Sequence, residues 1–128
     1  MIVLDASVLI AHFESTDAHH ARATQLLTDA ADEPLGASPL TLAEVLVGPA
    51  RTGKLDAART AIRELEIASI ALADDAPAGL AELRASTRLR LPDCCVLLAA
   101  GTAGGAEVAT FDDRLAAAAV DLGLRVRN

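Results

Sequence analysis

Four acidic side chains stand apart because each interrupts an apolar run. Asp5 closes Ile2-Val3-Leu4, Glu44 sits inside Leu42-Ala43-Glu44-Val45-Leu46, Asp93 follows Leu91-Pro92, and Asp112 follows Thr110-Phe111. A carboxylate drawn into apolar surroundings needs a compensating partner. Converging on one pocket, the four would repel one another by on the order of several kcal/mol unless a divalent cation neutralised them. An all-oxygen donor set favours Mg²⁺ or Mn²⁺ over zinc, and a cation held this way activates water and clamps phosphate oxygens. Simpler roles exist for each acid alone. Asp5 and Asp112 could cap helices, Glu44 could pair with Arg51, and Asp93 could complement the dipole of a helix opening at Pro92. It is the set of four that argues for a site.

The elements that would position these acids follow from periodicity. Ile2-Val3-Leu4, Leu35-Gly36-Ala37, Ile67-Ala68-Ser69-Ile70, Val108-Ala109-Thr110 and Leu124-Arg125-Val126 are the strand candidates. Between them lie helical segments: Leu26, Leu27 and Ala30 after a capping Asp17; Leu55, Ala58, Ile62 and Leu65; Leu80 and Leu83 after Pro77; and Leu115, Ala118, Ala119 and Leu122 after Asp112. Val96-Leu97-Leu98-Ala99-Ala100 is apolar all round, so its helix, ended by Gly104-Gly105, belongs in the middle of the domain. Strands alternating with covering helices predict an α/β domain with a short parallel sheet of about five strands. Asp5 and Asp112 then project from the carboxyl edge of that sheet, where such folds place ligands, with Asp93 opening the central helix and Glu44 in the helix after the second strand. No repeat or low-complexity linker interrupts the chain, which reads as a single domain over residues 1–128.

Composition narrows the function. Of 128 residues, 52% are hydrophobic and 23% charged, and the formal net charge of −7 excludes a binder that attracts polyanions through bulk basicity. With no Trp or Tyr and only Phe13 and Phe111, aromatic base-stacking platforms of the kind used by single-strand binders are not expected, so any nucleic acid contact should run through metal and arginine. No apolar run approaches the roughly 20 residues of a membrane span, and Asp5 stands where a signal peptide would be apolar, so a cytoplasmic location is expected. Cys94 and Cys95 are sequence neighbours without zinc-ligand spacing and read as reduced packing residues.

The opening Met-Ile-Val-Leu-Asp-Ala-Ser-Val-Leu-Ile, the segment from Ser38 to Gly48, Leu91-Pro92-Asp93 and Thr110-Phe111-Asp112 resemble the four signature segments of PIN domains, and more narrowly those of VapC-type toxins of bacterial toxin–antitoxin pairs. Asp17-Ala18-His19-His20 adds to the likeness, which spans nearly the whole chain. The resemblance implies a three-layer α/β/α fold and a Mg²⁺- or Mn²⁺-dependent endoribonuclease, homodimeric and held inactive by a small VapB-like antitoxin. It maps the acidic quartet onto Asp5, Glu44, Asp93 and Asp112. Asp5 and Asp93 become direct metal ligands, while Glu44 and Asp112 serve a second ion, hold water or position the first two. Ser7 and Thr110 match hydroxyls that support the acids. Asp113 is a second candidate beside Asp112, and the Thr-x-Asp spacing favours Asp112.

Other residues carry weaker expectations. Arg51, Lys54, Arg59 and Arg63 could line a path for RNA phosphates, or Arg59 and Arg63 could pair with Glu64 or Glu66. His12 could act near the site, although histidines without an orienting partner are more often surface or interface residues. Val8, Leu9, Phe13, Leu26 and Leu27 could serve the core, a dimer seam or an antitoxin groove. A receiver-type signalling domain would need an acidic pair after the first strand and a late lysine. A haloacid-dehalogenase-like phosphatase would need an aspartate where Ser7 stands. Two alternatives to a toxin stay open: a non-catalytic interaction protein docking a partner's arginine in the acidic pocket, and an RNA-processing nuclease without a toxic role.

Overall fold

The computed structural model describes residues 1–128. Its elements run β1 (Ile2–Leu4), α1 (Ala6–Phe13), α2 (His20–Asp29), β2 (Leu35–Ala37), α3 (Pro39–Arg51), α4 (Leu55–Glu64), β3 (Ala68–Ser69), α5 (Ala76–Thr87), α6 (Leu91–Thr102), β4 (Glu107–Ala109), α7 (Asp113–Asp121) and β5 (Val126–Arg127). The five strands form one parallel sheet in the order β3-β2-β1-β4-β5. The expected α/β architecture is therefore present, with each strand within two residues of its sequence-based position. The order turns at β1: successive crossovers lead outward through β2 to β3, then return to place β4 on the other side of β1.

Side-chain alternation along β1 builds the three layers. Ile2 and Leu4 enter one core with α1, α2, Val45 of α3 and Ile62 of α4, whereas Val3 enters the other with α6, α7 and Val108. All three β1 side chains are fully buried, which suits a central strand covered on both faces. At Gly36 of β2, a Cβ would come within 2.8 Å of Ile70 Cδ1, so any other residue would force the Ile70 side chain to move.

The helix boundaries have local causes. Ser38 caps α3 by accepting from the Thr41 N–H at 3.0 Å, with Pro39 in the first turn. Pro92 likewise opens α6, which buries Cys94, Cys95, Val96, Leu97, Ala99 and Ala100, and the positive φ of Gly104 and Gly105 turns the chain toward β4. Both cysteines are free and buried. Asp17 departs from its expected capping position. Its Oδ1 accepts from the His19 N–H at 2.8 Å, but α2 starts at His20, so the carboxylate tightens the turn before the helix instead of capping its first turn.

Candidate active site

The strand register brings the first two site segments together. Leu4 pairs with Ala109, and the Asp5 N–H donates to the Ala109 carbonyl at 2.9 Å, so Asp5 and Thr110 leave adjacent strands side by side. This is the carboxyl edge of the sheet at the point where strand order reverses, the place where an open α/β sheet leaves a crevice.

Asp5 is 7% exposed and sits at the N-terminus of α1 without capping it. Its carboxylate is held from elsewhere. Ser7 Oγ donates to Asp5 Oδ2 at 2.6 Å and Thr110 Oγ1 donates to the same oxygen at 2.8 Å. The two hydroxyls in turn accept the backbone N–H groups of Phe111 at 3.1 Å and Asp112 at 3.0 Å. Each hydroxyl thus receives one hydrogen bond and gives one to the carboxylate, which orients Asp5 and fixes the loop after β4. Thr110 is fully buried, and its demand for a hydrogen bond is met entirely within this network. Asp5 Oδ1 has no partner in the chain and is not sealed from solvent.

Glu44 and Asp93 reach the same region from α3 and α6. Burial pushes the Glu44 carboxyl above its ordinary range, and the charges of Asp5 and Asp93 push it further while Arg90 opposes them. For Asp93 the order is the same: burial first, then the charge of Asp5, with a smaller push from Asp112 and opposition from Arg90 and Arg114. The Asp5 charge thus acts on both Glu44 and Asp93, and the Asp93 charge acts on Glu44. Arg90 is too loose to neutralise them, since its Nε stands 3.9 Å from Asp93 Oδ2 and its side chain is largely exposed.

Asp112 does cap a helix: its Oδ1 accepts from the Leu115 N–H at 2.9 Å at the start of α7. It also lies in the field of Asp93, whereas Asp113, already inside α7, does not figure among the charges acting on the other acids. Capping and membership of the acidic group are compatible at this one residue, because the second carboxylate oxygen is left over.

No three carboxylates stand close enough to grip an ion between them. The donor set nevertheless fits a hard divalent cation that keeps much of its water. It is all oxygen, its members repel, and Asp5 Oδ1 is without a protein partner.

The basic residues named as possible RNA contacts lie outside the acidic group. Arg51 ends α3, Lys54 precedes α4, and Arg59 and Arg63 are exposed on α4; none of them acts on Glu44 or Asp93. Nor do Arg59 and Arg63 pair with Glu64 or Glu66, since Arg63 Nη2 instead donates to Thr60 Oγ1 at 3.0 Å and no ion pair forms on this helix. Lys54 lines a groove of about 510 Å³ with Ile10, Phe13, Val45, Pro49 and Ala58, between α1, α3 and α4. Val8, Leu9, Leu26 and Leu27 are core residues, leaving Phe13 as the member of that group exposed to the groove. The site cations are Arg90 and Arg114, which sequence reasoning passed over. Their signal was proximity, Arg90 three residues before Asp93 and Arg114 two after Asp112. His12 faces away, with Nδ1 3.0 Å from Thr24 Oγ1 on α2.

Solved structures share this fold. A toxin–antitoxin complex from Klebsiella pneumoniae contains a chain 25% identical to this one, with a TM-score of 0.71 and 91% of each chain covered. VapBC-1 from nontypeable Haemophilus influenzae superposes with a TM-score of 0.72 at 14% identity, covering 100% of this chain and 98% of that one. VapC20 of Mycobacterium tuberculosis, a sarcin-ricin-loop-cleaving toxin, gives 0.61 at 20% identity, covering 92% and 95% of the two chains. Among curated proteins there is no match. The family model of the PIN domain matches residues 2–121, and the chain belongs to the PIN domain family.

Proposed function

We propose that this chain is a metal-dependent endoribonuclease, the toxin of a toxin–antitoxin pair, with residues 1–128 working as one domain. The observation that carries the reading is that Asp5, Glu44 and Asp93 come to one region at the sheet's carboxyl edge, where Arg90 offers only a loose, exposed contact to Asp93. Family membership and the fold shared with toxins of such pairs support the choice of RNA as substrate.

In this reading Asp5 and Asp93 would hold Mg²⁺ or Mn²⁺ directly, with Glu44 and Asp112 serving through water or a second ion. When bound, the cation supplies Lewis acidity, making water more acidic and offsetting charge that develops on the scissile phosphate. The chain's own residues do the positioning. Ser7 and Thr110 fix the Asp5 carboxylate through Oδ2 and leave Oδ1 unpartnered, and their hydrogen bonds to the Phe111 and Asp112 amides hold the fourth acid in register. Glu44, which would meet the ion only through water or as part of a second site, is the acid suited to accept a proton from an attacking water. Arg90 and Arg114 stand on the rim, where they offer phosphate oxygens a positive charge.

The antitoxin is expected to seat an amphipathic segment in the groove between α1, α3 and α4, where Phe13 is 39% exposed. A homodimer and a cytoplasmic location belong to the same reading; no helix is long and apolar enough to cross a membrane. The test is cleavage of a mixed cellular RNA pool by the purified antitoxin-free chain in Mg²⁺ or Mn²⁺, beside a chelated sample and an Asp93→Asn variant. Discrete cuts absent from both controls establish the activity. A folded protein that binds metal and cuts nothing would instead favour a docking role for the acidic pocket.

A further inference from the structure

The chain has two phenyl rings, and they have different surroundings. Phe13 lies on the groove side of α1 beside His12, with ring centroids 5.2 Å apart. Phe111 lies on the loop that carries Asp112, and its amide is bonded to Ser7 Oγ, itself bonded to Asp5. The root of this second ring is thus two hydrogen bonds from the most buried acid of the site. His19 stacks on Phe111 with centroids 4.9 Å apart and planes 28° from parallel, and the Arg22 guanidinium lies over the Phe111 ring, with Cζ 5.3 Å from its centroid.

Packing alone does not account for this triad. Phe111 is half-buried and leans on the α1–α2 core, but His19 and Arg22 are exposed. The backbone under His19 is fixed, because its N–H is held by Asp17 Oδ1. An imidazole stacked on a phenyl ring that also carries a guanidinium, on the loop leading to Asp112, offers a π surface in a cluster that includes a cation. A nucleobase with its phosphate matches that pair of features. A cationic peptide side chain does not, since Arg22 would repel it.

We propose that the exposed His19 imidazole, backed by Phe111, whose ring Arg22 also overlies, is a platform on which one base of a single-stranded RNA stacks beside the acidic site. The choice of RNA rests on the nuclease reading above. Counting Trp, Tyr and Phe in the sequence overlooks this surface because imidazole supplies its outer layer. Stacking on one ring tolerates any base, so the platform orients the strand without reading its sequence.

The experiment titrates the Asp93→Asn chain with a short unstructured RNA carrying 2-aminopurine, whose fluorescence falls when the base stacks. Binding is expected to quench it. Adding His19→Ala should abolish the quench and weaken binding about tenfold, while His19→Phe, which keeps a planar ring, should retain both. Equal quenching and affinity with and without His19→Ala would overturn the platform, and so would the absence of any quench in the Asp93→Asn chain. Cleavage of unlabelled RNA by the unaltered chain judges the nuclease reading separately. Cutting without a His19-dependent quench removes the platform and keeps the nuclease; a His19-dependent quench without cutting keeps the platform and removes the nuclease.

Discussion

The Thr110 hydroxyl donates to Asp5 Oδ2 at 2.8 Å across the seam between β4 and β1, joining residues 105 positions apart in the chain. The same oxygen accepts the Asp112 N–H, so one buried hydroxyl couples two of the four acids. Thr110→Val keeps the shape of the side chain and removes both bonds. Hydrogen bonds to charged groups contribute about 1.5–3 kcal/mol, and the variant should lose stability of that order in urea denaturation. Thr110→Ser should unfold at nearly the same urea concentration as the unaltered protein. If valine were as stable as threonine, the network would have no structural weight.

Asp93→Asn addresses the repulsion itself. Burial and the Asp5 charge already disfavour the ionised carboxylate, so removing the charge should raise the melting temperature of metal-free protein. RNA cleavage should fall at least about a hundredfold, as when a group stabilising the transition state is removed. A lower melting temperature together with lost cleavage would mean that Asp93 supports the fold of α6, and that the activity loss is secondary.

Asp112 separates capping from chemistry. Asparagine caps a helix as well as aspartate does, whereas alanine at such a position costs about 0.5–2 kcal/mol. Asp112→Asn should therefore melt with the unaltered protein, and Asp112→Ala should melt lower. If the free carboxylate oxygen serves the site, both variants lose cleavage to a similar degree. Full activity in Asp112→Asn would leave the residue as a cap and nothing more.

His12 gives the protein a pH dependence unrelated to the acids. Burial, and then the nearby charge of His20, lower its proton affinity below the ordinary value of 6.5. Thr24 Oγ1 holds one ring nitrogen, and His20 stacks 6.4 Å away. In the window below 6.5 the unfolded chain binds more protons than the folded one, so stability is complete above that value and falls as the pH drops toward the folded-state value. His12→Asn should remove that part of the slope in urea titrations run at successive pH values. An unchanged slope would assign the acid sensitivity to other groups.

The sheet, the central helix and the four acids were legible in the sequence because each depends on local pattern: β-branched runs for strands, an all-apolar stretch for α6, and carboxylates in apolar surroundings. The two-hydroxyl support of Asp5 could be expected only by likeness, because it depends on the register of Leu4 against Ala109. Arg90 and Arg114 were not singled out, for a related reason. Arg51, Lys54, Arg59 and Arg63 cluster in sequence, but that clustering puts them on α4 and its approach, whereas Arg90 and Arg114 come to the acids on two separate helices. His19, Arg22 and Phe111 meet only when the turn before α2 folds against the loop after β4.

Placement of the cations makes a final prediction about salt. Each phosphate neutralised on a single strand contributes roughly −0.7 to the slope of log affinity against log salt concentration. If Arg90 and Arg114 each meet one phosphate, Arg90→Gln with Arg114→Gln should make the slope for RNA binding shallower by about 1.4. Arg59→Gln with Arg63→Gln should leave it unchanged, since those side chains sit on the exposed face of α4. Both pairs are exposed, so neither substitution should disturb the core, and the comparison isolates where the phosphate backbone runs. A slope altered by the α4 pair and not by the rim pair would send the RNA across α4, and Arg90 would then serve only to moderate the repulsion between Glu44 and Asp93.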